Sequence, residues 1–464
     1  LVRGLTVTST TAPPPTADTS ETVSLERCLA DSAAVAAMPT LETVQEEDVF
    51  HINAVGLQWA IGVRVYSPVD PDAIAVGADG KRIGAFFLHG GQDDWRQMQP
   101  WARVMAAKFG WKVVVGTFPG RLYLQDASRN WPGDTINDDG SVRTPIWVED
   151  ERITPDQYEL KRDTSMRMRY GTRTVVHAVA GSRFHDRMAG WPIAMQEGMA
   201  TAIRRHFPAD EFSVYVQGHS TGGPMVCMLS QRVANIAGIL AAENSPFGYI
   251  SEQQHAWSGS LGKVEGYDRV RTTKSQRHDP FYELYIRSWR DLARYRGPEA
   301  LGTEGPAALM RLPWLMEEIF DDWQRQLVRP LFKCEYIITH NIEESLRAAA
   351  LTTADRLSFD EPGRAALVDR YLGLTRELRG DDVKPVPPVL FGISRNSRDH
   401  SRDVYEEVII PMFRAMSPAP RIALQHFQAG VHKLWSAQPD LPMGIMPAVS
   451  RSWDAAIRGG FFVV

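Results

Sequence analysis

Gly218-His219-Ser220-Thr221-Gly222-Gly223 follows directly on the apolar run Phe212-Ser213-Val214-Tyr215-Val216. The hexapeptide fits Gly-x-Ser-x-Gly, a nucleophile elbow in which serine caps a sharp turn between a strand and a helix. Such a turn needs small residues on both sides, because its strained backbone brings neighbouring atoms too close for a Cβ. Phe212 to Val216 reads as a buried strand. Pro224 to Ala234 reads as a helix with Met225, Met228, Leu229 and Val233 on one stripe. Strand, turn and helix therefore occur in the required order, which raises the motif above a chance five-residue pattern.

A second signal lies upstream. Ile83-Gly84-Ala85-Phe86-Phe87-Leu88 is another buried-strand run, and it ends in His89-Gly90-Gly91. Glycine lets a loop approach a substrate closely and turn its amide inward, toward a developing oxyanion. Gly91 is the candidate donor from this loop. Thr221, at the start of the helix after the elbow, is the candidate partner, where free amides and the helix dipole favour negative charge.

On these residues the chain resembles the α/β-hydrolase family, over about residues 50–250 and 386–464. Val63–Tyr66, Ile83–Leu88, Trp111–Gly116, Phe212–Val216, Ala237–Ala242, Pro388–Ile393 and Arg421–His426 all read as short apolar strands. Helical patterns such as Trp101–Phe109 and Trp191–Phe207 separate most of them. The expected fold is an α/β, mostly parallel sheet with helices on both faces. Three parts are expected: an N-terminal extension, partly flexible, over 1–45; a core over 46–248 and 386–464; and a large, mainly helical cap over 249–385, between the sixth and seventh strands. Two apolar faces carry the cap reading, one through Phe281, Leu284, Tyr285, Trp289 and Leu292, the other through Leu315, Met316, Ile319, Phe320, Trp323 and Leu327. Seven arginines between Arg269 and Arg296 could hold a substrate carboxylate, but read more simply as a solvated face. An earlier insertion spans about Gly120 to Gly190.

The resemblance implies a histidine base late in the chain. His426 falls inside a strand pattern and reads as locally packed. His432 follows in a loop loosened by Gly430 and is the preferred base. His219 is expected to point away from the site. For the acid, the stretch after the seventh strand, Ser394-Arg395-Asn396-Ser397-Arg398-Asp399, lacks an aspartate where one is usual. Glu243, closing the apolar run Ile239 to Ala242, is similar in position to the glutamate of fungal glucuronoyl esterases. A carboxylate ending such a run needs a partner, which the far nitrogen of His432 would supply. Glu243 is the expected acid and Asp399 the reserve.

The 464-residue chain has 44% hydrophobic and 23% charged residues and a formal net charge of −5, ordinary for a globular protein, and no basic tract suggests nucleic acid. No apolar stretch reaches membrane-spanning length. The 3 cysteines make no disulfide framework, though a Cys28–Cys334 pair stays open; Cys227 reads as a core residue. Thr6 to Thr22 suits a flexible arm, compatible with a cytoplasmic protein or with one exported after loss of a signal peptide. The implied activity is a serine hydrolase acting on a small-molecule carboxylic ester through an acyl-enzyme, with no metal or organic cofactor. An amidase or lactonase would use the same triad, and a ligand-binding protein on the same scaffold is the competing class. Oligomeric state is not legible.

Overall fold

The computed structural model describes residues 15–16, 18–54, 56–90, 94–120, 146–163, 173–179, 181–220, 222–244, 334–337, 347, 350–351, 354–355, 358–377, 384–397, 402, 405–406, 410–414 and 418–464. Twelve strands are named in chain order: β1 (Thr19–Val23), β2 (Thr43–Ala54), β3 (Leu57–Pro68), β4 (Arg82–Leu88), β5 (Lys112–Gly116), β6 (Tyr158–Asp163), β7 (Arg173–Ala178), β8 (Phe212–Gly218), β9 (Ile236–Ala242), β10 (Cys334–Ile337), β11 (Val389–Asn396) and β12 (Ile422–Val431). The described helices are α1 (Leu25–Ala37), α2 (Gln99–Phe109), α3 (Arg183–His206), α4 (Gly223–Ser230), α5 (Glu361–Glu377), α6 (Ile410–Arg414) and α7 (Met446–Arg458).

Nine strands form one sheet in the order β2-β3-β5-β4-β8-β9-β11-β12-β1. Only β3 runs against its neighbours, antiparallel to both β2 and β5; every other pairing in this sheet is parallel. The apolar runs read as strands have the continuous hydrophobicity of a sheet covered on both faces. Along β4 the side chains divide by alternation. Phe86 and Leu88 enter the core beneath α3 and α4, whereas Ile83, Ala85 and Phe87 enter the core on the other face, with α2 and α7. On that second face Trp101 of α2 stacks on Trp453 of α7 at 4.6 Å, and Trp101 Nε1 donates to Ser450 Oγ at 2.8 Å. Gly110, at φ 70°, closes α2 in the left-handed conformation and returns the chain into β5.

The segment expected as a partly flexible extension contributes two elements to this core. β1 pairs in parallel with β12, and α1 begins with Ser24, whose side chain accepts from Arg27 N. Neither β1 nor β2 carries an apolar run. Both lie at sheet edges, where solvated side chains such as Gln45, Glu46 and Glu47 suit the strand and guard its open hydrogen-bonding edge. The last residues of β2, half-buried Phe50 and Ile52 and buried Ala54, do alternate.

A second sheet, β10-β7-β6, has an antiparallel β6·β7 pair and a parallel β10·β7 pair. It joins a strand from the stretch between β9 and β11 to the insertion before α3. The expected helical cap is described only in β10, α5 and isolated residues; the helical faces over 281–327 and the arginines from Arg269 to Arg296 lie outside the described residues. Cys28 is buried and free, which removes the pairing with Cys334, and Cys227 is likewise buried and free in α4. Burial pushes the Cys28 thiol up to about 11.

Candidate active site

β8 ends at Gly218, and the next two residues turn so sharply that Ser220 takes φ 51°. A Cβ on Gly218 would lie 2.2 Å from the Gly222 oxygen, and one on Gly222 would lie 2.6 Å from the His89 oxygen. Both contacts are with backbone, so no side chain could move aside. The amides of Gly222 and Gly223 close the turn on the carbonyls of His219 and Ser220, both at 2.9 Å. Ser220 N donates to the Glu243 carbonyl at 2.7 Å, which ties the serine to the end of β9.

Glu243 itself sits at φ 51°, and Glu243 N donates to Gly392 O at 2.9 Å, so the strained residue is fixed from β11 as well. Its side chain is fully buried. Oε1 accepts from Ser394 N and Ser394 Oγ, each at 2.7 Å. Oε2 accepts from Ser397 Oγ at 2.6 Å and from His432 Nδ1 at 2.8 Å. A carboxylate removed from water costs several kcal/mol unless its lone pairs are matched, and four donors match them here.

His432 arrives through an irregularity in β12. The β11·β12 register moves from Ser394↔Phe427 to Asn396↔Val431, two residues against four. Gly430, at φ 91°, takes up the excess, and a Cβ there would lie 2.6 Å from Ile445 Cδ1. The imidazole therefore stands just beyond the strand, with Nδ1 on the carboxylate. Since a carboxylate only accepts, Nδ1 carries the proton and Nε2 of the neutral ring carries the lone pair. His426 stays within β12, its Nδ1 3.1 Å from Gln428 Nε2.

His219 departs from expectation. Its ring does not turn away but packs 4.5 Å from the His432 ring and 5.1 Å from Trp435. Its Nε2 donates to the His432 carbonyl at 3.0 Å. On the other side of the elbow, His89 is buried and holds two loops together. Its Nε2 accepts from Phe118 N at 3.1 Å, so Nδ1 is the protonated nitrogen and donates to Gly90 O at 2.6 Å. Gly90 N donates to Gln97 Oε1 at 2.6 Å, and a Cβ on Gly90 would lie 2.8 Å from His219 Nδ1.

The structure thus joins Glu243 to His432 through their side chains and to Ser220 through the backbone, three residues singled out from the sequence. Gly91, Thr221 and Asp399 lie outside the described residues. Ser394, Ser397 and His219 were not anticipated in their roles. The two serines could have been found from their position, since they follow the strand after which an aspartate is usual. Among the described residues no group of three or more His, Cys, Asp or Glu side chains is placed to hold a metal, and no helix is long and apolar enough to cross a membrane.

The strand order, the single reversed strand and the glycine-framed serine between β8 and α4 define an α/β-hydrolase fold. No protein-family model matches the sequence, and no curated protein does. Among solved structures, an esterase from Rhizomucor miehei aligns over 94% of this chain and 90% of its own, at 11% identity and TM-score 0.38. An open-form lipase aligns over 89% and 99%, at 12% identity and TM-score 0.38. An S-formylglutathione hydrolase from Agrobacterium tumefaciens aligns over 91% and 100%, at 12% identity and TM-score 0.34. At such values the fold rests on the chain's own strand order, and the likeness to glucuronoyl esterases stays an expectation from sequence.

Proposed function

We propose that this chain is a serine hydrolase that cleaves a carboxylic ester through an acyl-enzyme. The observation that carries the reading is the Glu243–His432 pair, hydrogen-bonded at 2.8 Å, beside a strained serine whose amide is bonded to the same glutamate's carbonyl at 2.7 Å. In this reading His432 Nε2 takes the Ser220 proton as the serine oxygen attacks the ester carbonyl. Amides of Gly91 and Thr221 are the proposed oxyanion donors. The imidazolium, stabilised by Glu243, then protonates the leaving alcohol. Water, deprotonated by the same nitrogen, attacks the acyl-enzyme and releases the acid. Ser394 and Ser397 hold the glutamate in the orientation that keeps the His432 proton on Nδ1.

Intact mass after treatment with a fluorophosphonate probe tests the nucleophile. A single adduct is expected on the wild type and none on Ser220→Ala. A folded wild type that takes no adduct would overturn the reading.

A further inference from the structure

Asn244 is fully buried, and among the described residues neither its Nδ2 nor its Oδ1 has a hydrogen-bond partner. A buried amide with both ends unmatched is uncommon and costs free energy, so it calls for an explanation. Gln196 differs in kind: its Oε1 is unmatched, yet its Nε2 still donates to Met225 O at 3.4 Å.

The backbone of Asn244 is firmly placed. The residue follows Glu243 directly, its carbonyl accepts from the Tyr405 hydroxyl, and it forms a parallel bridge with Ser220. Bridged residues of neighbouring chain segments stand about 5 Å apart. The unmatched amide therefore belongs to a residue one strand spacing from Ser220, within the span of a small acyl or alkoxy group.

We infer that Asn244 is a substrate-binding residue, and that the preferred ester carries an uncharged group with both donor and acceptor, a hydroxyl or a carboxamide, close to the scissile bond. A neutral amide offers two N–H donors and a carbonyl acceptor together, and such a group answers both. A carboxylate would answer only Nδ2, would set its charge against Oδ1 and would stand beside the ionised Glu243. A purely apolar ester would leave the amide unmatched. This inference rests on the ester-hydrolase reading.

The test compares wild type with Asn244→Leu, of similar size, and with Asn244→Ala. Two ester pairs differ only by hydroxyl against methyl: methyl lactate against methyl isobutyrate in the acyl part, and 2-hydroxyethyl acetate against propyl acetate in the alcohol part. In one pair the kcat/KM preference for the hydroxyl ester over the methyl ester should fall about tenfold in both variants. The responding pair tells which side of the bond Asn244 serves. The Tm of Asn244→Leu should rise by about 1–3 °C, because an unmatched amide has been removed from the free protein. Unchanged preferences in both pairs, or a lower Tm for Asn244→Leu, would overturn the inference while fluorophosphonate labelling of the wild type leaves the hydrolase reading standing. A wild type that takes no label overturns both.

Discussion

Strand β9 has a charge withdrawn from water at each end, fully buried at Glu243 and half-buried at Lys384, and the two are treated differently. Beyond its last residue, Glu243 meets four donors, from Ser394 N, Ser394 Oγ, Ser397 Oγ and His432 Nδ1. At its first residue, the Lys384 ammonium donates to the Ile236 carbonyl, and among the described residues no carboxylate pairs with it. Burial alone pulls that lysine down to about 8. A buried charge is kept where oriented donors replace its hydration, and is weakened where a single carbonyl must do so. The C-terminal end of the strand is thus built to hold an ion and a proton donor in register, whereas its N-terminal end tolerates a cation as packing.

The donors around Glu243 can be removed one at a time. In the double variant Ser394→Ala with Ser397→Ala, two of the four donors are lost, leaving one amide and the imidazole. We expect kcat to fall about 100-fold, and stability by about 2–4 kcal/mol at two unmatched sites. Ester turnover and a urea melt report both; an unaltered kcat would mean that the carboxylate needs no holding.

Ser397→Ala alone should cost about tenfold in kcat and should also move the pH profile. Ser397 and His432 share Oε2, so deleting the hydroxyl leaves the carboxylate more basic and its hold on the imidazolium stronger. The acid limb of kcat/KM should therefore move to higher pH. A fixed limb would confine Ser397 to packing.

The smallest effect is expected at the other end of β9. Lys384→Met should leave turnover unchanged and alter only the dependence of stability on pH. With the folded value lowered to about 8 against 10.5 for the free group, the unfolded chain binds more protons between these values. Wild-type stability should thus rise as pH increases through that window, and the variant should lose this rise. Melts at pH 8 and pH 10 measure it; equal slopes would show that Lys384 is not desolvated.

Much of this arrangement is legible in the chain because its causes are local. A strand covered on both faces must be continuously apolar, and all seven such runs are strands of the large sheet. The elbow is legible because Gly218 and Gly222 face backbone oxygens that no side chain could move. Edge strands β1 and β2 are not legible, since solvent on their faces removes the pattern that reveals a strand. β10 is hidden because its partner β7 lies some 160 residues earlier in the chain, as Cys334↔Thr174 records. His219 is hidden for the same reason. Nothing near it in sequence announces that its ring will meet His432, 213 residues later.

Glu243 is the carboxylate partner of His432. The measurement is kcat/KM on one cleaved ester for Glu243→Gln and for Asp399→Asn. With His432 Nδ1 2.8 Å from Glu243 Oε2, Glu243→Gln is expected to lose about 1,000-fold or more and Asp399→Asn less than about threefold. A large loss in Asp399→Asn with activity kept in Glu243→Gln would contradict the account and move the acid to the end of β11.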